Sequence, residues 1–281
     1  MTNTPLLLEV KNAAKAFDEK VILRDVSVHI NEGETLSILG KSGTGKSVLL
    51  KIIVGLLEPD KGEVIYRGQS LLELTEVELN EVRKKIGFLF QGAALFDSMS
   101  VGENLEMYLK KHAKFTVDER EKKIKRALEL VELSDVIDSM PSELSGGMRK
   151  RAGLARSIVL EPEMILYDEP TTGLDPVTAS SIAELILTLQ KELKIASLVV
   201  THDLPTAYTV SDRAVVLSDG YKIFDGDIED LGEQEDEFLQ DYLKSSKVDR
   251  SHRDAILKSV KAGDTKHSSV EATQTTVESK A

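Results

Sequence analysis

One eight-residue run constrains the fold of this 281-residue chain more than any other feature. It extends from Gly40 to Ser47, reads GKSGTGKS, and follows the strand-like apolar stretch Thr35 to Leu39. Apolar residues at helical spacing come next, from Val48 to Leu56. A strand, a glycine-rich loop and a helix in this order are typical of a P-loop, in which backbone N–H groups surround phosphate oxygens.

The residue types in this loop suit a nucleoside triphosphate. Lys46 is expected to neutralise the β- and γ-phosphates, and the Ser47 hydroxyl to bind Mg²⁺. An ordinary glycine-rich turn before a helix is the alternative interpretation, and the flanking strand and helix argue against it. The candidate nucleotide-binding residues here are Gly40, Lys41, Ser42, Gly43, Thr44, Gly45, Lys46, Ser47 and Val48.

A pair of adjacent carboxylates, Asp168 and Glu169, follows the apolar run Met164 to Tyr167. Sites in α/β folds lie at the ends of strands. We therefore expect Asp168 to bind Mg²⁺, through a water or through Ser47, and Glu169 to polarise the attacking water as a general base. By itself such a pair is more often a solvated turn, and the phosphate-binding loop upstream favours the functional interpretation.

Composition and charge exclude several classes of protein. A formal net charge of −12 lacks the basic footprint that DNA or RNA binding needs, so no nucleic-acid partner is expected. The absence of cysteine excludes disulfides and thiolate catalysis. The sequence has no apolar run long enough to span a bilayer and its first residues do not resemble a signal peptide, so we expect a cytoplasmic protein.

Strand-like runs open the chain and return in its second half, which predicts an α/β fold with a parallel sheet and flanking helices. We predict one folded unit over residues 1–244, with a helical subdomain at about 92–160. A flexible tail is expected over residues 245–281, with a possible short helix from Arg253 to Val260. Before the tail, one helical stripe carries Phe238, Leu239, Tyr242 and Leu243. This stripe can pack on its own domain or reach a neighbouring subunit.

A second short motif resembles a known family. The run Leu144-Ser145-Gly146-Gly147-Met148 is similar to the signature motif of ABC transporter ATPases, usually written LSGGQ. Ser145 and the two glycines would start a helix whose N–H groups and dipole face an anion. In the family that anion is the γ-phosphate of ATP held by the other subunit. Met148 departs from the usual glutamine, and we expect contact with ATP to survive this change.

The resemblance continues in order from Leu6 to about Gly226. It implies a P-loop NTPase of the ABC type, with a parallel core sheet, an N-terminal antiparallel β subdomain and a helical subdomain. It further implies that Gln91 reaches Mg²⁺, that residues 173–175 form the D-loop along a dimer interface, and that His202 contacts the γ-phosphate during ATP hydrolysis. Phe17 stands where an aromatic residue stacks on adenine, although a core position is an equal alternative.

Two longer stretches, residues 90–104 and 144–151, look like ATPases of the maintenance-of-lipid-asymmetry type. This resemblance implies a homodimer on the cytoplasmic face of the inner membrane, bound to integral-membrane permease subunits and powering phospholipid movement between bacterial membranes. It also implies a mammalian-cell-entry-type lipid-binding protein as a partner, and a groove at about 92–105 that receives a membrane-domain helix. An ATPase of a cell-division or lipoprotein-release complex is the alternative.

Overall fold

The computed structural model describes residues 4–112 and 114–244 of the chain. The tail predicted over residues 245–281, and its short helix, lie outside this part. The strands are β1 (Leu6–Phe17), β2 (Lys20–Asn31), β3 (Thr35–Leu39), β4 (Lys61–Tyr66), β5 (Gln69–Ser70), β6 (Ile86–Leu89), β7 (Met164–Asp168), β8 (Ala196–Val200), β9 (Arg213–Ser218) and β10 (Tyr221–Asp227). The helices are α1 (Lys46–Ile53), α2 (Glu76–Lys84), α3 (Val101–His112), α4 (Val117–Leu130), α5 (Gly146–Ile158), α6 (Pro176–Leu193), α7 (Leu204–Val210) and α8 (Glu237–Lys244).

The strands form one mixed sheet in the order β5-β4-β1-β2-β10-β9-β3-β8-β7-β6. At one end, β1 pairs antiparallel with β2 and with β4. At the other end, β9, β3, β8, β7 and β6 run parallel to one another. The two parts meet where β10 pairs with β2. The sheet confirms the predicted fold class, a parallel core joined to an N-terminal antiparallel β subdomain.

Parallel pairing brings the ends of β3, β7 and β8 to the same edge of the sheet. Ile38 and Asp168 both pair with Val200, so the loops that follow these three strands are neighbours. The strands are buried on both faces, which explains their continuous apolar runs. This edge is therefore where the chain can place polar groups from distant parts of its sequence.

Helices α3, α4 and α5 lie between β6 and β7, and their apolar faces form one buried cluster with α6. The start of α4 is fixed by a capping box, in which Thr116 and Glu119 bond each other's backbone N–H groups. These helices occupy the section at about 92–160 that the sequence predicts to be helical. The division of the chain into domains at these boundaries remains a prediction.

The C-terminal helix α8 packs on its own domain. Leu239 and Tyr242 are buried in a cluster with Leu204 and Tyr208 of α7. Of the two interpretations of the apolar stripe, packing on its own domain is therefore the one that holds for these two residues. The side chain of Phe238, also assigned to the stripe, lies outside the described part.

Some expectations about the elements are wrong. The apolar spacing after the phosphate-binding loop predicts a helix that continues to Leu56, but α1 ends at Ile53 and Leu56 is 62% exposed. The chain turns at Gly55, whose φ of 66° is left-handed. Strands β4 and β10 were not predicted, because each contains a glycine and charged residues, which are uncommon in strands. Over the described residues, none of the helices combines the length and apolar character needed to cross a membrane.

Candidate functional site

A cavity of about 750 Å³ lies at the edge of the sheet where the parallel strands end. It is lined by residues from the loops after β3, β6, β7 and β8, together with residues from β2 and α8. Ten predicted site residues line it: Lys41, Ser42, Gly43, Gly45, Lys46, Ser47, Val48, Gln91, Glu169 and His202. Three further lining residues, Lys20, Ile22 and Tyr242, were not predicted.

The glycine-rich loop presents the start of α1 to the cavity. Gly45 precedes the helix with a φ of 99°, and a Cβ there would lie 2.7 Å from the side chain of Leu23. No side chain caps α1 by a hydrogen bond, and its first turn contains no acidic residue. The N–H groups of the first turn and the positive end of the helix dipole are therefore available to an anion.

Lys46 is 6% exposed and is held inside the loop. Its Nζ donates to the carbonyl oxygens of Gly40, at 2.7 Å, and Lys41, at 3.1 Å. Burial lowers the pKa of Lys46, while the negative charges of Glu169 and Asp168 oppose this shift. The cation therefore sits among partners that favour its charge, at the base of the cavity.

Gly40 and Thr44 belong to the loop without being among the residues that line the cavity in the described chain. Gly40 supplies a carbonyl to Lys46, and the Thr44 hydroxyl donates to the carbonyl of Lys41 at 2.9 Å. Both contacts stabilise the curved backbone of the loop.

Asp168 ends β7, and its Oδ1 lies 3.5 Å from the Ser47 hydroxyl. Burial, followed by the adjacent charge of Glu169, raises the pKa of Asp168, and the contact with Ser47 only partly offsets the rise. A cation beside this carboxylate would stabilise its ionised form. Ser47, Asp168 and the Gln91 amide, which lines the same cavity, would bind a metal ion through oxygen atoms alone. Mg²⁺ prefers oxygen ligands.

Within residues 4–112 and 114–244, no group of three or more His, Cys, Asp or Glu side chains could hold a metal ion by itself. A magnesium ion at Ser47 and Asp168 would therefore need phosphate oxygens and water to complete its coordination. Mg²⁺ in nucleotide sites is commonly held in this way.

The Glu169 carboxylate is held by three polar side chains. Its Oε2 accepts from the Thr172 hydroxyl at 3.0 Å and the Thr201 hydroxyl at 3.4 Å, and lies 2.8 Å from Nδ1 of His202. The backbone of Glu169 has a φ of 49°, which is uncommon for a residue with a side chain. The two threonines were not predicted, since a threonine near a strand end carries no distinctive sequence signal.

His202 and α8 are connected through Tyr242. The Tyr242 hydroxyl donates to the backbone carbonyl of His202 at 3.1 Å, and Tyr242 is one of the residues that line the cavity. Burial raises the pKa of Tyr242 to about 12, so the phenol stays protonated and can donate at neutral pH. The sequence assigned Tyr242 to an apolar stripe, and the stripe gave no indication that its polar tip reaches the site.

Ser145 caps α5, as its Oγ accepts from the backbone N–H of Met148 at 3.2 Å. This contact uses the backbone of Met148, so the departure from glutamine leaves the cap intact. A Cβ on Gly147 would lie 2.6 Å from Thr178, so glycine permits α5 to pack closely against the start of α6. Asp175 caps α6 by accepting from the N–H groups of Val177 and Thr178.

Ser145, Gly146 and Gly147 are not among the residues that line the cavity in the described part of the chain. The fold brings together the loops after the parallel strands, but the signature residues at the start of α5 do not join them in lining the cavity. One copy of the chain therefore assembles only part of the predicted site.

Phe17 ends β1 and is 45% exposed, so the alternative of a core position is wrong. The Lys15 ammonium lies 5.7 Å from the centre of its ring. Phe17 pairs across the β1–β2 turn with Lys20, which lines the cavity, although Phe17 itself is not among the lining residues of the described chain. Stacking of adenine on Phe17 remains a prediction.

The combination of a glycine-rich loop around a buried lysine, a carboxylate pair after β7 and a histidine after β8 defines a P-loop nucleotide-binding protein. The antiparallel β subdomain, the helices between β6 and β7, and a capped Ser-Gly-Gly helix start define its class as an ABC ATPase cassette.

Comparisons with known proteins agree with this class. The family model described as "ABC transporter" matches residues 23–172. The intermembrane phospholipid transport system ATP-binding protein MlaF of Haemophilus influenzae is 38% identical over 238 residues, covering 85% of this chain and 90% of the relative. The probable ribonucleotide transport ATP-binding protein mkl of Mycobacterium leprae is 39% identical, covering 86% of this chain and 70% of the relative.

A solved structure extends the agreement to the fold. The ATP-binding cassette MJ0796, a dimer in a post-hydrolysis state bound to ADP and phosphate, superposes with a TM-score of 0.71 and 34% identity, over 79% of this chain and 99% of the other. The chain belongs to the ABC transporter family, as a nucleotide-binding ATPase.

Proposed function

We propose that this chain is the ATP-hydrolysing subunit of a transporter that moves phospholipid between bacterial membranes. Two copies bind ATP between them on the cytoplasmic face of the inner membrane and drive integral-membrane permease subunits. One observation carries the proposal that two copies share each ATP: the P-loop and the signature residues of one copy do not line the same cavity. The cavity of one copy holds the P-loop, while Ser145 to Gly147 lie outside the residues that line it.

ATP lies with its phosphates in the loop from Gly40 to Ser47. The N–H groups at the start of α1 bond the phosphate oxygens, and Lys46 exchanges its contacts with the Gly40 and Lys41 carbonyls for the β- and γ-phosphates. The base lies towards Phe17, with Lys20, Ile22 and Val48 on the same side of the site.

Ser47, Asp168 and Gln91 would hold Mg²⁺, which would supply positive charge against the phosphates during hydrolysis. The 3.5 Å separation of Ser47 and Asp168 supports their joint role. The raised pKa of Asp168 supports it as well, because a neighbouring cation lowers the free energy of the ionised carboxylate.

Hydrolysis is an in-line displacement at the γ-phosphorus. Glu169 accepts a proton from the attacking water as the new oxygen–phosphorus bond forms and the bond to the bridging oxygen breaks, giving ADP and phosphate. Three side chains already orient the Glu169 carboxylate, and His202 is placed both beside it and on the cavity. His202 therefore contacts the γ-phosphate and Glu169 together.

The second copy completes the site with Ser145, Gly146 and Gly147. The start of its α5 has no acidic residue in the first turn, so its dipole stabilises the γ-phosphate of the ATP bound across the interface. The dimeric state of the similar MJ0796 structure supports this arrangement. Loss of the γ-phosphate removes the shared ligand and opens the dimer.

The assignment of phospholipid as the cargo is supported by the function named for the MlaF relative and by the residues around Gln91 and the signature. Such a transporter contains a mammalian-cell-entry-type lipid-binding protein as a further partner, and residues 92–105 receive a helix of the permease. The name of the mkl relative gives ribonucleotides as the competing cargo.

Co-purification with the permease, followed by transfer assays between vesicles, tests the function. ATP-dependent transfer of labelled phospholipid that stops in the Glu169→Gln variant is the expected result. ATP-dependent movement of ribonucleotides instead would overturn the phospholipid assignment. Release of a lipoprotein from the donor vesicles would favour the lipoprotein-release alternative.

A further inference from the structure

Lys150 lies in the first half of α5 and is only 5% exposed. Its Nζ donates to the backbone carbonyl of Gln91 and, at 3.2 Å, to the backbone carbonyl of Glu169. A single buried ammonium group therefore bonds the two residues that follow β6 and β7 and that line the nucleotide cavity. Fully buried lysines are rare in proteins, so this one calls for an explanation.

The contact with Glu169 falls where the backbone is strained. Glu169 has a φ of 49°, a conformation that residues with a side chain seldom adopt. Three contacts hold it there: its N–H donates to the carbonyl of Val200 at 2.8 Å, and its carbonyl accepts from the Thr172 N–H at 3.3 Å and from Lys150. The direction of the Glu169 side chain depends on this backbone conformation, so Lys150 also fixes the carboxylate.

A second cation on the same helix holds the segment after Gln91. Arg156 is 9% exposed, and its guanidinium donates to the carbonyls of Ala93 and Ala94. Both alanines are left-handed, with φ of 60° and 50°. Lys150 and Arg156 thus attach the backbone from Gln91 to Ala94 to α5 at two points. Lys150 also links the backbone of Glu169 to α5.

Charge around Lys150 is consistent with this role. Burial lowers the pKa of Lys150, and the negative charges of Asp168 and Glu169 oppose the shift. Hydrogen bonds from a charged donor are stronger than those between neutral groups. The Lys150 ammonium therefore links α5 to the segments that follow β6 and β7.

We propose that Lys150 is a positioning residue that makes the orientation of Glu169 and Gln91 depend on the position of α5. This inference rests on the proposed function, in which Ser145 at the start of α5 contacts the ATP of the second copy. Contact of Ser145 with ATP is then transmitted to Glu169 within the same chain through the first five residues of α5 and the Lys150 side chain. Hydrolysis is promoted only when α5 is docked.

The test uses the full-length protein with its permease and measures steady-state ATP hydrolysis. Lys150→Met removes the three donors at similar volume, Lys150→Arg keeps a cation, and Lys191→Met, at an exposed position on α6, is the control for loss of a lysine. We expect Lys150→Met to lower kcat about 10- to 100-fold by misplacing Glu169, while KM for ATP stays near the wild-type value. Lys150→Arg restores part of kcat, and Lys191→Met matches the wild type.

A merely structural effect is separated from positioning by a double variant. If Lys150 acts mainly by orienting Glu169, then adding Lys150→Met to Glu169→Gln slows single-turnover hydrolysis far less than it slows the wild type, and the small remaining loss comes from Gln91. A further, additive loss in the double variant, or a Lys150→Met protein with wild-type kcat, would overturn the inference. Failure of the wild type itself to hydrolyse ATP would instead count against the proposed function.

Discussion

Nδ1 of His202 lies 2.8 Å from Oε2 of Glu169, so the two residues assigned to hydrolysis are in direct contact. The contact joins the loop after β8 to the loop after β7, and it helps to fix the orientation of the Glu169 carboxylate. The carbonyl of His202 in turn accepts from Tyr242, which extends this arrangement to α8.

Replacing Glu169 with glutamine tests its role as the base. The amide has nearly the same shape and can keep the contacts with the neighbouring threonines, but it cannot accept a proton from water. We expect kcat to fall by roughly 10²- to 10⁴-fold, the usual contribution of general-base catalysis. Binding of a fluorescent ATP analogue should be retained. Hydrolysis at the wild-type rate would remove Glu169 from this role.

Tyr242 offers a test of the connection between α8 and the site. Tyr242→Phe deletes only the hydroxyl that donates to the His202 carbonyl. We expect a loss of about 1 kcal/mol in the free energy of unfolding, the usual net value of one hydrogen bond, together with a lower kcat. Tyr221→Phe, at a 49% exposed position on β10, serves as the matched control. A Tyr242→Phe protein with unchanged kcat would show that His202 needs no support from α8.

Glu163 should make stability depend on pH. It lies just before β7 and accepts from the Tyr66 hydroxyl at 2.7 Å and from Arg67 Nε at 2.6 Å, which links the antiparallel subdomain to the core. Burial raises its pKa, but the bonds from Arg67 and Tyr66 and the charge of Lys85 outweigh this, so the pKa of Glu163 is lowered.

Because the folded-state pKa of Glu163 lies below the unfolded value of about 4.3, its contribution is complete above that pH and is lost as the pH falls through the folded-state pKa. Glu163→Gln should therefore cost about 1 kcal/mol of unfolding free energy at neutral pH, a value reduced by solvent screening at this partly exposed site. Denaturant titrations from pH 7 to pH 3 should show this difference disappearing at the acid end. A difference that grows in acid would contradict the assignment.

The sequence was sufficient where a local pattern dictates local structure. The strand from Thr35 to Leu39 and the adjoining glycine loop were predicted because a buried strand and a tight turn have distinctive compositions. The helix after the loop ended before its expected limit because the left-handed turn at Gly55 overrides the apolar spacing. Strand β10 is held by pairing with β9 and β2, which its own residues do not reveal.

The same division holds for the site. Motif order was enough to nominate Lys46, Glu169 and His202, and the fold brings all three to one cavity. Lys150 and Tyr242 were missed, because a lysine in a charged run and a tyrosine in an apolar stripe are usually a surface and a core residue. Only the tertiary packing of α5 and α8 directs their polar ends towards the site.

The central claim is that two copies share each ATP through Ser145, and ATP-dependent dimerisation tests it most directly. Ser145 is exposed and acts as the cap of α5, and both Asp and Asn are good caps, so Ser145→Asp and Ser145→Asn should both preserve the helix. They differ in one negative charge, which would face the γ-phosphate of the other copy. The Glu169→Gln background prevents ATP from being consumed during the measurement.

Sedimentation velocity with saturating ATP and Mg²⁺ should show dimers for Glu169→Gln and for Glu169→Gln with Ser145→Asn. The Glu169→Gln protein with Ser145→Asp should stay monomeric although it still binds ATP through its own loop. If the Ser145→Asp protein forms the ATP-dependent dimer as readily as the Ser145→Asn protein, the shared site between two copies is wrong.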